Sequence, residues 1–136
     1  MGMFCHAAMQ AALHEALLAD DALVGMVEGV YDHVPAKTAY PYVTIGDMRA
    51  TDVSAVETQL VQMQCALHLY SRERGRKEIS TIMQRLHDLL HDTQLSMASY
   101  SMIRMHYAGS QIAQERDGLT YHGQMRFEVM LQYTEA

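Results

Sequence analysis

Apolar residues at Cys5, Met9, Ala12, Leu13 and Ala16 recur at helical spacing, with Leu17 at the edge of that stripe and Gln10, His14 and Glu15 off it. This predicts an amphipathic helix ending near Ala19. Asp20 and Asp21 are placed to cap a second short turn carrying Leu23, Val24 and Val27. Gly25 and Gly29 loosen the chain, and "VYDHVPAKTAYP" reads as an ordered loop bounded by Pro35 and Pro41. From Tyr42 the period becomes two, with Val43 and Ile45 alternating against Tyr42 and Thr44. Asp47 to Glu57 is polar and without a clear period, so it reads as a loop or the extended tip of a hairpin. The next strand is plain: Val61, Met63, Cys65, Leu67 and Leu69 face one way, Gln62, Gln64, Ala66 and His68 the other.

The outward side of that strand continues through Tyr70, Arg72 and Arg74, and Gly75 marks a break. A helix is expected from about Arg76 to His91, with the stripe Ile79, Ile82, Met83, Leu86, Leu89 and Leu90. Glu78, three residues after Gly75, suggests a weak form of the capping box. Two strands follow. Ile103, Met105 and Tyr107 are expected on the inner face of the first. Leu119, Tyr121, Met125, Phe127, Val129 and Leu131 are expected on that of the second, with "ERDG" (115–118) as the connection. The order α-β-β-α-β-β, with one polar face per strand, predicts an α+β fold. Its antiparallel sheet carries two helices on the apolar side, in a single domain over 1–136.

Composition narrows the function. Hydrophobic residues are 49% and charged residues 19%, an ordinary globular balance. A net charge of −6 argues against general affinity for nucleic acid. Twelve Met and no Trp imply a Met-filled core. Cys5 and Cys65 stand outside any C-x-x-C pattern on expected apolar faces, so they are read as buried free thiols in a reducing compartment. The first residues lack the basic start of a signal peptide, and no apolar run reaches membrane-spanning length. A soluble protein made in the cytoplasm is expected.

Chemistry-bearing motifs are sparse. No phosphate-binding Gly loop, nucleophile elbow or zinc-protease motif occurs, so no catalytic or cofactor site is assigned. His87 and His91 lie four apart on one helix beside Asp88 and Asp92, the spacing of a two-ligand metal face, but a third ligand is not identifiable. "YSRERGRKEI" (70–79) holds Arg72, Arg74, Arg76 and Lys77, four of the ten Lys and Arg in the chain, together with Glu73 and Glu78. Cations at a helix start oppose the macrodipole. An acidic partner surface would offset that, and a solvated helix entrance is the plain alternative.

Three segments together resemble a family. "VYDHVPAKTAYPYVTIGD" (30–47), "LHLYSRERGRKEISTIM" (67–83) and "DGLTYHGQMRFEV" (117–129) are similar to the tail-completion, or tail-terminator, proteins of long-tailed phages, prophages and gene transfer agents. The shared features are Tyr-Asp-x-x-Pro, Pro-Tyr-Val-x-Ile-Gly and Ser-x-x-x-Gly-x-x-Glu, in the family's order. The resemblance implies a non-catalytic virion protein, assembled in the bacterial cytoplasm and residing at the head–tail junction. Its subunits form a ring, usually a hexamer, that ends the tail tube and joins it to the head-side connector or stopper. DNA passes through the lumen unread, and no membrane is involved. The implied partners are other copies of the chain, the major tail tube protein and the connector. On this reading Arg72, Arg74, Arg76 and Lys77 are a candidate subunit interface. Asp47, Met48, Arg49, Thr51, Asp52 and Glu57 are a candidate loop for the tube or connector, with Asp47, Asp52 and Glu57 as acidic counterparts to the basic cluster. A head-side neck connector is the nearer alternative role, and a small metal- or ligand-binding domain using His87 and His91 the more distant one.

Overall fold

The computed structural model describes residues 4–134. Its elements are α1 (His6–Leu18), α2 (Asp21–Val24), β1 (Val30–Tyr31), β2 (Tyr42–Asp52), β3 (Leu60–Ser71), α3 (Lys77–Leu90), β4 (Ser96–Met97), β5 (Tyr100–Gln114) and β6 (Tyr121–Tyr133). The strands form one sheet in the order β1-β2-β3-β6-β5-β4, curled into a half-barrel. The four long strands are antiparallel, as their alternating patterns predict. The sheet as a whole is mixed, because Val30 and Tyr31, expected in a loop, pair parallel to Val43 and Thr44.

β3 and β6 are the two central strands, and the strict alternation of β3 buries Val61, Met63, Leu67 and Leu69 on one side. Phe127, Val129 and Leu131 of β6 complete that face. α3 packs on β3, β6 and β5, while α1 touches strands at both margins, β1 and β4. The α3 stripe is buried as expected at Ile79, Ile82, Met83, Leu86 and Leu90. Asp20 caps α2 through the Leu23 N–H and receives two hydrogen bonds from the Arg85 guanidinium, at 2.6 and 2.9 Å, which tie α2 to α3. That guanidinium holds the Asp20 carboxyl below its usual pKa.

The methionines fulfil the compositional expectation. Met9, Met63, Met83, Met102, Met105 and Met125 are buried in the core. Cys5 and Cys65 are buried free thiols, with the Cys5 Sγ 3.3 Å from the Met63 sulfur. Burial pushes the Cys65 thiol up to about 12.

Several sequence expectations are corrected. Of the two readings for Asp47 to Glu57 the extended hairpin holds over Asp47–Asp52, which is strand; only the tip beyond it is irregular, and a bulge between Ile45 and Met48 resets the alternation and hides the period. On β5 a bulge between Met102 and Arg104 puts Met102 inside and leaves Ile103 exposed, the reverse of the expected parity. Leu119 lies in the β5–β6 turn and is exposed, while its neighbour Thr120 is buried. Gly75, at φ +80°, makes the turn before α3, but no capping box forms. Glu78 instead accepts a 2.6 Å hydrogen bond from the buried Ser71 hydroxyl, which also accepts the Glu73 N–H.

Candidate assembly surfaces

The basic junction divides into two parts. Arg72 is used internally. Its Nε donates to the Thr120 hydroxyl at 3.0 Å, its Nη2 stands 3.7 Å from the Asp117 carboxylate, and its guanidinium covers the Tyr40 ring at 4.3 Å. Asp117 also accepts the N–H groups of Leu119 and Thr120, and these bonds hold its pKa near 2. The junction is thereby fastened to the β5–β6 turn. Arg76 lies 5.3 Å from the Tyr121 ring. Arg74 and Lys77 are exposed and make no side-chain hydrogen bond or ion pair among the described residues. Of the four predicted interface cations, these two are the most available to a partner.

Of the predicted tube- or connector-contacting segment, Asp47, Met48, Arg49, Thr51 and Asp52 lie in the outer half of β2, and only the tip beyond them, with Glu57, projects from the other end of the sheet. β3 starts beside the hairpin tip at Leu60 and ends beside the junction at Ser71, a span of about 40 Å for a strand of that length. Asp52 accepts the Ser54 N–H, which shapes the tip, and the Ser54 hydroxyl together with that N–H lowers the Asp52 pKa. Val56 stands 88% exposed there, with Val53 and Glu57 also exposed. The basic cluster and the tip acids Asp52 and Glu57 therefore occupy opposite ends of one subunit.

At the junction end the polar face of the sheet carries an aromatic row. Tyr42, Tyr70 and His122 are register partners on β2, β3 and β6. Tyr42 stacks on Tyr70 at 5.1 Å, and Tyr70 on His122 at 4.7 Å and 4°. Tyr31 and Tyr40 pack against Tyr42 at 5.9 and 5.1 Å. Burial, then the Tyr40 hydroxyl, raises the Tyr42 phenol to about 12. The row ends at a histidine pair, with His68 Nδ1 2.7 Å from His122 Nε2. A bond that short needs one donor and one acceptor, so the pair holds together with at least one ring neutral.

Burial, followed by the neighbouring His122, lowers the His68 pKa below its ordinary 6.5. Folding thus favours neutral His68. The associated stability is fully present above the unfolded pKa of about 6.5 and is lost as the pH falls through the depressed folded value. Comparison of melting temperatures between pH 7.5 and 5 checks this: the wild type is expected to lose more on acidification than His68→Gln. Parallel curves would show that the pair carries no pH-dependent stability.

The His87–His91 metal reading finds little support in the geometry. The two rings stack at 5.0 Å and 16°. His87 Nδ1 lies 3.1 Å from Asp88, and His91 Nδ1 accepts the Tyr107 N–H at 3.1 Å. No group of three or more His, Cys, Asp or Glu among the described residues is arranged to hold a metal.

A family model described as "Tail completion protein gp17" matches residues 11–132. The chain belongs to the tail completion protein family. Two solved structures share its fold. One is a chain of the "virion of native gene transfer agent (GTA) particle", at TM-score 0.88 and 19% identity, covering 96% of this chain and 99% of that one. The other is the gp17 protein of bacteriophage SPP1, at TM-score 0.61 and 22% identity, covering 96% and 93%. No curated protein sequence matches. The expected resemblance is thus confirmed, and membership makes the chain a structural component of a phage-type tail, within the virion. No helix among the described residues is long and apolar enough to cross a membrane.

Sequence reasoning did not identify what this tail completion protein does with Arg72 and its aromatic row. The outward parity of Tyr42, Tyr70 and His122 was a readable signal. Their alignment depends on strand register, which the pattern of one strand cannot supply.

Proposed function

We propose that the chain terminates a tail tube as a ring, on the usual plan a hexamer, and joins it to the head-side connector with DNA passing through the lumen. Its work is assembly rather than catalysis. The supporting observation is that the family match spans nearly the whole chain. The opposite placement of the hairpin tip and the basic junction suits such a subunit. A ring between two stacked neighbours needs one contact surface on each side, and heterologous contacts within the ring leave both ends free. The tip, with Val56 at its apex, addresses one axial neighbour. Arg74, Arg76 and Lys77, expected from the sequence at the contact between subunits, lie at the end opposite the tip and on this proposal address an acidic surface on the other axial neighbour instead. A chain of net charge −6 lets DNA slide past without phosphate contacts.

Arg74→Glu combined with Arg76→Glu tests the basic side. Both residues are exposed, so the melting temperature is expected to stay within a few degrees. Reversing two cations against an acidic surface is expected to lower the yield of joined particles by at least tenfold, since like-charge juxtaposition costs several kcal/mol. Electron microscopy counts joined and unjoined tails. Unchanged joining would remove the junction from the assembly surface. Tails that reach normal length and join normally without the protein would remove the terminator reading itself.

A further inference from the structure

β5 is covered along only half of its outer edge. From Tyr100 to Tyr107 that edge is closed. β4 pairs with Tyr100 and Ser101, the Gln94 amide donates to the Ile103 carbonyl, Asp92 N–H donates to the Met105 carbonyl, and Tyr107 N–H donates to His91. From 108 to 114 no strand among the described residues lies on the side away from β6. Exposed sheet edges in monomers are ordinarily protected by charge, proline or covering segments. "AGSQIAQ" (108–114) contains no charged residue and no proline. Its one irregularity is the bulge between Tyr107 and Gly109.

A groove runs beside this open edge. It lies between α3 and β5, with a volume of about 290 Å³, and Met83, Tyr107, Ile112 and Met125 supply its apolar lining. A strand added to β5 would place alternate side chains in this groove and the others over the polar face. An edge strand beside a helix is a common way to receive an extended segment.

The opposite margin of the sheet supplies a matching strand. β1 covers only Val43 and Thr44 of β2, so among the described residues Asp47–Asp52 has no strand on the side away from β3. Met48 and Ala50 there are half-buried hydrophobics at the rim of the core, on the face that continues inward. Each subunit thus carries one open edge per margin. β2 runs opposite to β5, so copies related by rotation would join them antiparallel.

The two open stretches are offset, and the offset has geometric meaning. Ile112 shares a row with Gly123, Leu69 and Val43, whereas the open part of β2 lies about five residues farther along, or about 17 Å. Four strand spacings separate one β2 from the next around a closed sheet, roughly 19 Å. That ratio corresponds to a strand tilt of about 40°, within the 35–45° typical of closed barrels.

We propose that the open edge of β5, 108–114, receives β2 (Asp47–Asp52) of a second copy. Met48 and Ala50 of that copy then enter the groove between α3 and β5, joining the sheets of neighbouring subunits. This rests on the ring reading above and specifies its lateral contact. The exposed outer half of β2, singled out in the sequence as a tube- or connector-facing loop, becomes a subunit interface, leaving only the tip beyond Asp52 for axial contact.

Disulfide trapping of the full chain on tail tubes tests it. Ile112→Cys is combined with Ala50→Cys or, in a second variant, with Met48→Cys, while the buried native thiols remain. Oxidation is expected to give a covalent ladder from at least one pair and none from the single-cysteine variants. Fixation of the wild type with an amine cross-linker is read alongside. If fixed rings appear but neither cysteine pair gives a ladder, the edge contact is overturned and the ring stands. If the wild type remains a single copy on tubes, the ring reading falls and the edge contact with it.

Discussion

Phe127→Ala is expected to lower the unfolding free energy by about 3–5 kcal/mol, the range for removing a large aromatic side chain from a core. Phe127 is fully buried in the middle of β6, with Cys65 and Tyr107 as register partners and the Tyr107 ring 6.0 Å away at 70°. The other phenylalanine, Phe4, is 83% exposed, so it offers the core no substitute. Two opposing effects set the size of the loss. A cavity at the centre of a sheet is hard to close, because hydrogen-bonded strands on both sides fix the backbone. Met63, Met105 and Met125 are also buried on this face, and flexible thioether chains adapt to vacant space. We expect the backbone constraint to dominate, because the void is central and small adjustments of methionine fill only part of a phenyl ring. With a total stability of about 5–15 kcal/mol, the variant would be marginal at 37 °C. Urea titration checks this through a lower midpoint at unchanged slope. A loss below about 1.5 kcal/mol would show that the methionines refill the space, and that this core is more plastic than its burial implies.

The elements legible in the sequence were those with one unbroken period and a buried face. β3 has neighbours on both sides and one buried face, so Val61 to Leu69 kept a period of two without a fault. The α3 stripe was equally plain, since a single helix face meets the sheet. Bulges obscured the rest. An extra residue reverses which side chains point inward, so the stretch from Asp47 onward reads as aperiodic and Ile103 reads as inward-facing. The two-residue strands β1 and β4 are too short for any period to register. At the candidate surfaces, local sequence shows a cluster of cations but not the distinction within it. Arg72 is held by Asp117 and Thr120, dozens of residues away, whereas Arg74 and Lys77 are not held. Such a difference exists only after β3 and the β5–β6 turn come together. The open edges were invisible for a similar reason: an edge is defined by which strand fails to arrive, and that depends on sheet order.

Gly123→Val is expected to be the second most damaging change, and it bears on assembly as well as stability. β6 passes directly beneath α3 at Gly123. A Cβ there would lie 2.7 Å from the Met83 sulfur and 3.2 Å from Ile79 Cδ1. Both residues are buried, so neither swings freely into solvent. Met83 is flexible enough to yield to one methyl, and Gly123→Ala should cost about 1 kcal/mol or less, because strand entropy favours alanine over glycine. Valine adds two branched methyls with restricted rotation, and these meet Ile79, which is also branched. Overpacking of this kind costs about 1–3 kcal/mol, and relief requires α3 to lift from the sheet. Met83 and Met125 also line the groove beside the open edge of β5, so lifting α3 would change the shape of that groove. Gly123→Val should therefore lose subunit association at temperatures where its circular dichroism is still native, while Gly123→Ala assembles normally. Equal assembly of the two folded variants would separate the seating of α3 from the contact between subunits.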